Sequence, residues 1–207
     1  MTSRKLVALT AGAAALISST ASMAQTAPAA QPAISHGPAL TGVCFLSAQE
    51  VAGTSAVGKA VNARMQQLVQ QVQTELKPEQ DAIQAEAQTL QTSAATMDAA
   101  TREKRGNDWA ARVETFNQKA QLREAELERT RQKALTRILQ EIDPVAKSVY
   151  QQRRCSILLS RDTGVTWGNP AMDLTPAVLA GLNAKIQTFA FERERIQQQQ
   201  PAAPAAK

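Results

Sequence analysis

From Val61 to Val149 the apolar residues of this chain fall mostly three or four positions apart, with Gln, Glu, Lys, Arg and Thr between them. That is the period of one helical face, and sustained over such a length it predicts long helices with a single buried stripe. The first run is Val61, Met65, Leu68, Val72 and Leu76, continued after one polar turn by Ile83, Ala87, Leu90, Ala94 and Met97. The second is Trp109, Val113, Phe116, Ala120, Leu127, Ala134, Ile138, Ile142, Val145 and Val149. Between them TSAATMDAAT has Met97 as its only large apolar residue and Asp98 as a helix cap, so the chain turns back there. Two helices of roughly forty residues, at ~1.5 Å per residue, make an arm roughly 60 Å long. This arm takes residues 57–143. Pro78 predicts a kink near Thr74 to Lys77 rather than a stop, because the stripe resumes in phase beyond it. Asp143-Pro144 predicts a bend, or a helix restart with Asp143 as cap. Only 3% of the residues are aromatic, a composition that suits elongated helices better than one large globular core.

The arm is bracketed by two strand-like runs. Val43 to Leu46 is a continuous apolar stretch between Gly42 and Ser47, within a first body segment over 40–56. After Arg154 come CSILLS as a buried strand, the turn RDTG with Gly164 free to take a positive φ, and VTW as a second short strand, which together predict a β-hairpin over 155–168. Val43, Phe45, Ile157, Leu159, Val165 and Trp167 are the expected body-strand residues. Thr175-Pro176 then predicts a helix with Thr175 as cap, closing a second body segment over 144–190. The fold class is therefore α+β and mostly α: a long antiparallel helical hairpin projecting from a small β-rich body. Each strand-like run holds one of the two cysteines, Cys44 and Cys155. In an oxidising compartment a bridge between them is favoured; bridges between subunits and two buried thiols are the alternatives. A body this small buries too little to stand alone, so its apolar strand face is expected to be shared in a homo-oligomer.

The ends of the chain address the compartment. Residues 1–24 carry Arg4 and Lys5, an apolar core from Leu6 to Ile17, and Ser22 and Ala24 at a cleavage site, the pattern of a secretory signal peptide. That core is shorter than the ~20 residues needed to span a bilayer. Residues 25–39, rich in Pro and Ala, and 191–207, ending in Gln, Pro and Ala, are expected to be disordered. The formal charge of +5 falls to +3 when Arg4 and Lys5 leave with the signal, 5 − 2. Such a mild bias suits weak contact with anionic lipid headgroups and gives no concentrated patch for nucleic acid.

VCFLSAQEV with Gln49 and Val51, the SAVGKAV entry into the first helix, SILLSRDTGVTWGNP and MDLTPAVLAGLN stand in order around the coiled-coil-like middle. In order and spacing they resemble the Skp (OmpH-like) family of periplasmic chaperones for outer-membrane proteins, over about residues 42–186. The resemblance implies a homotrimer with a β-barrel body and three helical arms that enclose an unfolded client, in the periplasm. Family arms are commonly Lys-rich with a basic tip. Here Arg102, Lys104, Arg105 and Arg112 stand against Asp98, Glu103 and Asp108, a net of one positive charge, 4 − 3. The cysteine pair and the Pro/Ala leader elaborate on the family pattern.

No nucleophile with a neighbouring histidine, no Gly-rich phosphate loop and no metal-ligand cluster occurs, and the sole histidine, His36, lies in the leader. No enzyme chemistry, metal or cofactor is expected. The leading expectation is an ATP-independent holdase for unfolded outer-membrane proteins. Small residues on the arm, Ala82, Ala85, Ala94, Ala95 and Ala99, would face the client, with Arg102 and Arg105 near the turn. Trp109 and Phe116, at helical spacing, are expected in the seam between the arm helices. The alternative is a structural coiled-coil tether or spacer of the cell envelope, which would gain if the seam ran between chains.

Overall fold

A computed structural model describes residues 34–197 of the protein. Along the chain run β1 (Val43–Leu46), α1 (Ala48–Thr54), α2 (Ala56–Ser93), α3 (Ala99–Gln152), β2 (Ile157–Ser160) and α4 (Thr175–Lys185), with a single 3-10 turn at Pro170–Met172. The expected signal peptide, the leader up to residue 33 and the tail from residue 198 lie outside the described residues.

α2 and α3 form the arm. Ser55 starts α2 by accepting a hydrogen bond from the Gly58 amide at 3.1 Å, and Asp98 starts α3 by accepting from the Thr101 amide at 2.9 Å. Gly58 is required by packing: a Cβ there would sit 1.8 Å from the Ala52 carbonyl oxygen, so any side chain would push α1 off α2. α2 runs unbroken through Pro78. α3 likewise runs through Pro144, so the arm's return helix ends at Gln152, and Asp143 caps nothing. It pairs instead with Lys147 one turn on, at 2.7 Å. Ile142 and Ala146, buried on either side of Pro144, hold the helix to the base through the missing hydrogen bond.

The base is built on one parallel pair, in which Val43, Cys44, Phe45 and Leu46 stand opposite Ile157, Leu158, Leu159 and Ser160. Parallel neighbours need a crossover connection, and here the whole arm supplies it. The expected β-hairpin over 155–168 does not form, and Val165 to Trp167 are not a strand. The competing interactions explain why. The Arg161 amide adds a rung to Leu46 O at 2.9 Å. The Asp162 carboxylate is then drawn to the start of α1, accepting from the Ser47 hydroxyl and, at 3.1 Å, from the Gln49 amide. The other edge of β1 is taken by Asp173 in a single bridge, with Leu174 N donating to Phe45 O at 2.9 Å.

α4 begins one residue earlier than expected, with Thr175 as its first residue and Leu174 at the cap position, where no side chain caps the helix. The Asp173 carboxylate just before it accepts from the Thr175 amide at 2.8 Å. The Thr175 hydroxyl instead accepts from the Ser47 amide at 3.0 Å. Val51, Val57, Ile138, Leu174, Val178 and Leu182 are fully buried, so the core sits where α1, α2, α3 and α4 meet.

Candidate client-binding arm and its base

In the arm the buried stripe of each helix faces the other. Of the first stripe Val61, Leu68, Val72 and Ile83 are buried and the rest half-buried, while Trp109, Val113, Phe116 and Ala120 opposite are half-buried. The Trp109 indole N–H donates across the seam to Ile83 O at 3.1 Å. Charge fixes the register. Arg112 pairs with Glu86, Lys119 with Glu79 at 2.8 Å and Arg123 with Glu75 at 2.7 Å. Each step forward along α3 is matched by an equal step back along α2, as an antiparallel pair requires. Every cation of this ladder stands on α3 and every carboxylate on α2, so any slip of register would separate all three pairs together.

Toward the base a third strand of chain joins the two helices. Residues 191–197, expected to be part of a disordered tail, have no regular secondary structure but are anchored to both arm helices. Arg64 of α2 donates to both carboxylate oxygens of Glu192, at 2.9 and 2.8 Å. The Arg193 side chain, 8% exposed, reaches Glu75 of α2 at 2.8 Å and lies 3.3 Å from Glu126 of α3. The Glu194 amide donates to Thr130 Oγ1 at 2.9 Å, and the Ile196 amide to Glu126 Oε1 at 3.2 Å. Glu126, with a side chain only 1% exposed, is thus a buried carboxylate satisfied by its neighbour Arg123 and by the tail. Burial pushes the Glu75 carboxyl up, but hydrogen bonds from Arg193 and Arg123 and their charges outweigh it and hold the group below its ordinary value. The hydrogen bond to Glu75 raises Arg123 in turn, against its own desolvation.

The residues proposed to face a client fall into two groups. Ala82, Ala85, Ala95, Ala99 and Arg102 are exposed, and Ala94 and Arg105 half-buried. Only those flanking the turn are brought together. There Arg102 donates to Met97 O at 3.0 Å and Arg105 lies against Met97 Sδ at 3.7 Å, so both guanidinium groups fasten the turn.

At the base Cys44 and Cys155, both buried, are bonded to each other within the chain, with Cα atoms 5.9 Å apart. Of the expected body-strand residues Phe45 is buried and Val43 and Val165 half-buried. Contrary to the expectation of a buried strand, the β2 side chains are exposed in the single chain, because nothing packs over them there: Ile157 is 53%, Leu158 41% and Leu159 43% exposed, and Trp167 beside them is 74% exposed. The Leu40, Leu159 and Trp167 side chains line the same shallow apolar depression.

The arrangement is that of a helical-hairpin arm carried on a stapled base. Among the described residues no group of His, Cys, Asp and Glu is placed to hold a metal, and no helix is long and apolar enough to cross a membrane. The chain belongs to the OmpH-like outer membrane protein family, whose pattern matches residues 42–182. It is similar to the crystal structure of a Caulobacter crescentus CB15 protein described as a candidate outer membrane chaperone (OmpH-like). The two are 44% identical, with a TM-score of 0.71, over 81% of this chain and 98% of that one. No curated protein matches the chain.

Proposed function

We propose that the protein is an ATP-independent holdase of the periplasm that keeps unfolded outer-membrane proteins soluble between the arms of a homotrimer. One observation carries this: the arm closes its seam within one chain, while the base leaves the apolar side chains of β2 and Trp167 in solvent. A two-stranded sheet is too small to be stable by itself, and an apolar face of this kind is what copies of a chain share. Oligomerisation through the base leaves the arms free to surround a client. The exposed alanines Ala82, Ala85 and Ala95 offer shallow apolar patches, on which an extended client makes many weak contacts and from which it can leave. Membership of the OmpH-like family and the chaperone assignment of the Caulobacter protein support the same reading. The tether alternative would gain from a seam running between chains, and the seam that α2 and α3 close within one chain favours the holdase reading over it.

The test is the light-scattering mass of the mature protein, alone and mixed with a urea-unfolded outer-membrane β-barrel protein diluted into buffer. A trimer that holds the client in a discrete soluble complex is expected. A monomer or dimer beside a client that aggregates at its usual rate would sink the proposal.

A further inference from the structure

The segment that follows α4 lies on the arm as an extended chain. Phe189 and Phe191 turn inward onto the base core and Arg193 turns inward onto the arm, while Ala190 and Glu192 between them are exposed. That alternation is the period of a β-strand laid on a surface. The seat beneath it is made for such a guest. Along α3 the buried stripe changes from apolar to polar at Thr130 and Glu126, a change that packing against α2 alone does not call for. The Thr130 hydroxyl and the Glu126 carboxylate accept the Glu194 and Ile196 backbone amides, and Glu126 and Glu75 flank the Arg193 guanidinium.

The grip is exchangeable in kind. Beside the buried Arg193 it includes ion pairs with an exposed partner, Arg64 with Glu192 and Lys133 with Glu194, and such pairs are weak in water. The Arg193 Nε is buried beside Glu126 without the alignment of a hydrogen bond. Backbone amides and one cation are features that any extended polypeptide can bring.

We propose that the groove between α2 and α3 at the level of Glu75 and Glu126 is a docking seat for an extended chain segment. The segment it fits is aromatic at alternate positions and cationic at the next. Residues 187–197 are the resident occupant, which a client displaces. This rests on the holdase reading and adds a regulated site to it: the tail keeps the seat closed until a client of the same chemistry competes for it.

The experiment follows the Glu194 and Ile196 amides by hydrogen exchange in the full chain, with and without an unfolded outer-membrane β-barrel protein. Client affinity is measured in parallel for the wild type, for Arg193→Ala and for Arg195→Ala at an exposed neighbouring position. Both amides should lose protection when the client binds. Freeing the seat should tighten client binding about three- to tenfold in Arg193→Ala and leave Arg195→Ala unchanged. A client complex in which both amides stay protected and Arg193→Ala binds no tighter would overturn the seat and make the segment a fixed brace. If the wild type holds no client at all, the holdase reading fails separately. A synthetic peptide of residues 188–197 titrated into Arg193→Ala then decides the seat, since saturable binding in trans supports it and absence of binding refutes it.

Discussion

The two halves of α3 bury their residues differently. From Glu126 to Val149 a buried position recurs every three or four residues, namely Glu126, Thr130, Ala134, Ile138, Ile142, Ala146 and Val149; none of residues 99–125 is buried. Helical periodicity is equally clear in both halves, so the difference does not come from the stripe. It comes from the number of layers. The outer half packs along α2, and two helices side by side leave each stripe partly open to water, as at Trp109, Val113 and Phe116. The inner half is covered by α2 together with α1, α4 or the C-terminal segment. Stability along the arm is therefore graded, with a cooperative base and an outer arm able to open locally.

The largest effect that could break this picture belongs to the bond at the base. Cys44 and Cys155 close a loop 111 residues apart in sequence, which contains the whole arm. Replacing both by Ser should cost about 4–5 kcal/mol if the stabilisation comes from restricting the unfolded chain. Urea denaturation measures it, and a loss under about 1 kcal/mol would mean that the base stands without its staple. Next in size is a matched pair of truncations. Ile138→Ala, at a fully buried base position, should cost about 2–5 kcal/mol. Val113→Ala in the outer seam, where part of the side chain is already wet, should cost about 1 kcal/mol or less. Equal losses in the two would remove the gradient.

Much of this was legible in the sequence, for a physical reason. Every residue placed on the first stripe is buried or half-buried, because a helix needs no information beyond its own period to choose a face. The strands at Val43–Leu46 and Ile157–Ser160 were legible as well, but their partners were not. An apolar run of four residues marks a strand without naming its neighbour or its burial: β2 pairs with β1 and not with Val165–Trp167, which is no strand, and its side chains stay exposed. Helix α1 left a signal that was passed over: Ser47 with Glu50 three residues on is the pattern of a capped start, and Ser47 Oγ accepts from the Glu50 amide at 3.0 Å. The charged seat was the least legible part. Glu126 and Thr130 resemble solvated residues until a segment some seventy residues away covers them. The Gln, Pro and Ala of the final residues masked the alternating FAFER that does so.

The smallest expected effect sharpens the boundary between the two halves, which lies where the C-terminal segment grips Glu75. The charged groups around that carboxyl are Arg123 and Glu126 of α3 and Arg193 of the tail. A carboxyl held below its ordinary value contributes stability that is complete above that value and is lost as pH falls through the lowered one. Attachment of the tail should thus be flat from neutral pH down to the ordinary carboxylate range and weaken only below it. The ¹⁵N–¹H shifts of Glu194 and Ile196, followed against pH, report the attachment directly. Glu75→Gln keeps the shape but removes the charge, so it should loosen the tail at neutral pH and flatten the acid step. An acid step identical in Glu75→Gln and wild type would assign the titration to another carboxylate and move the boundary of the rigid half away from Glu75.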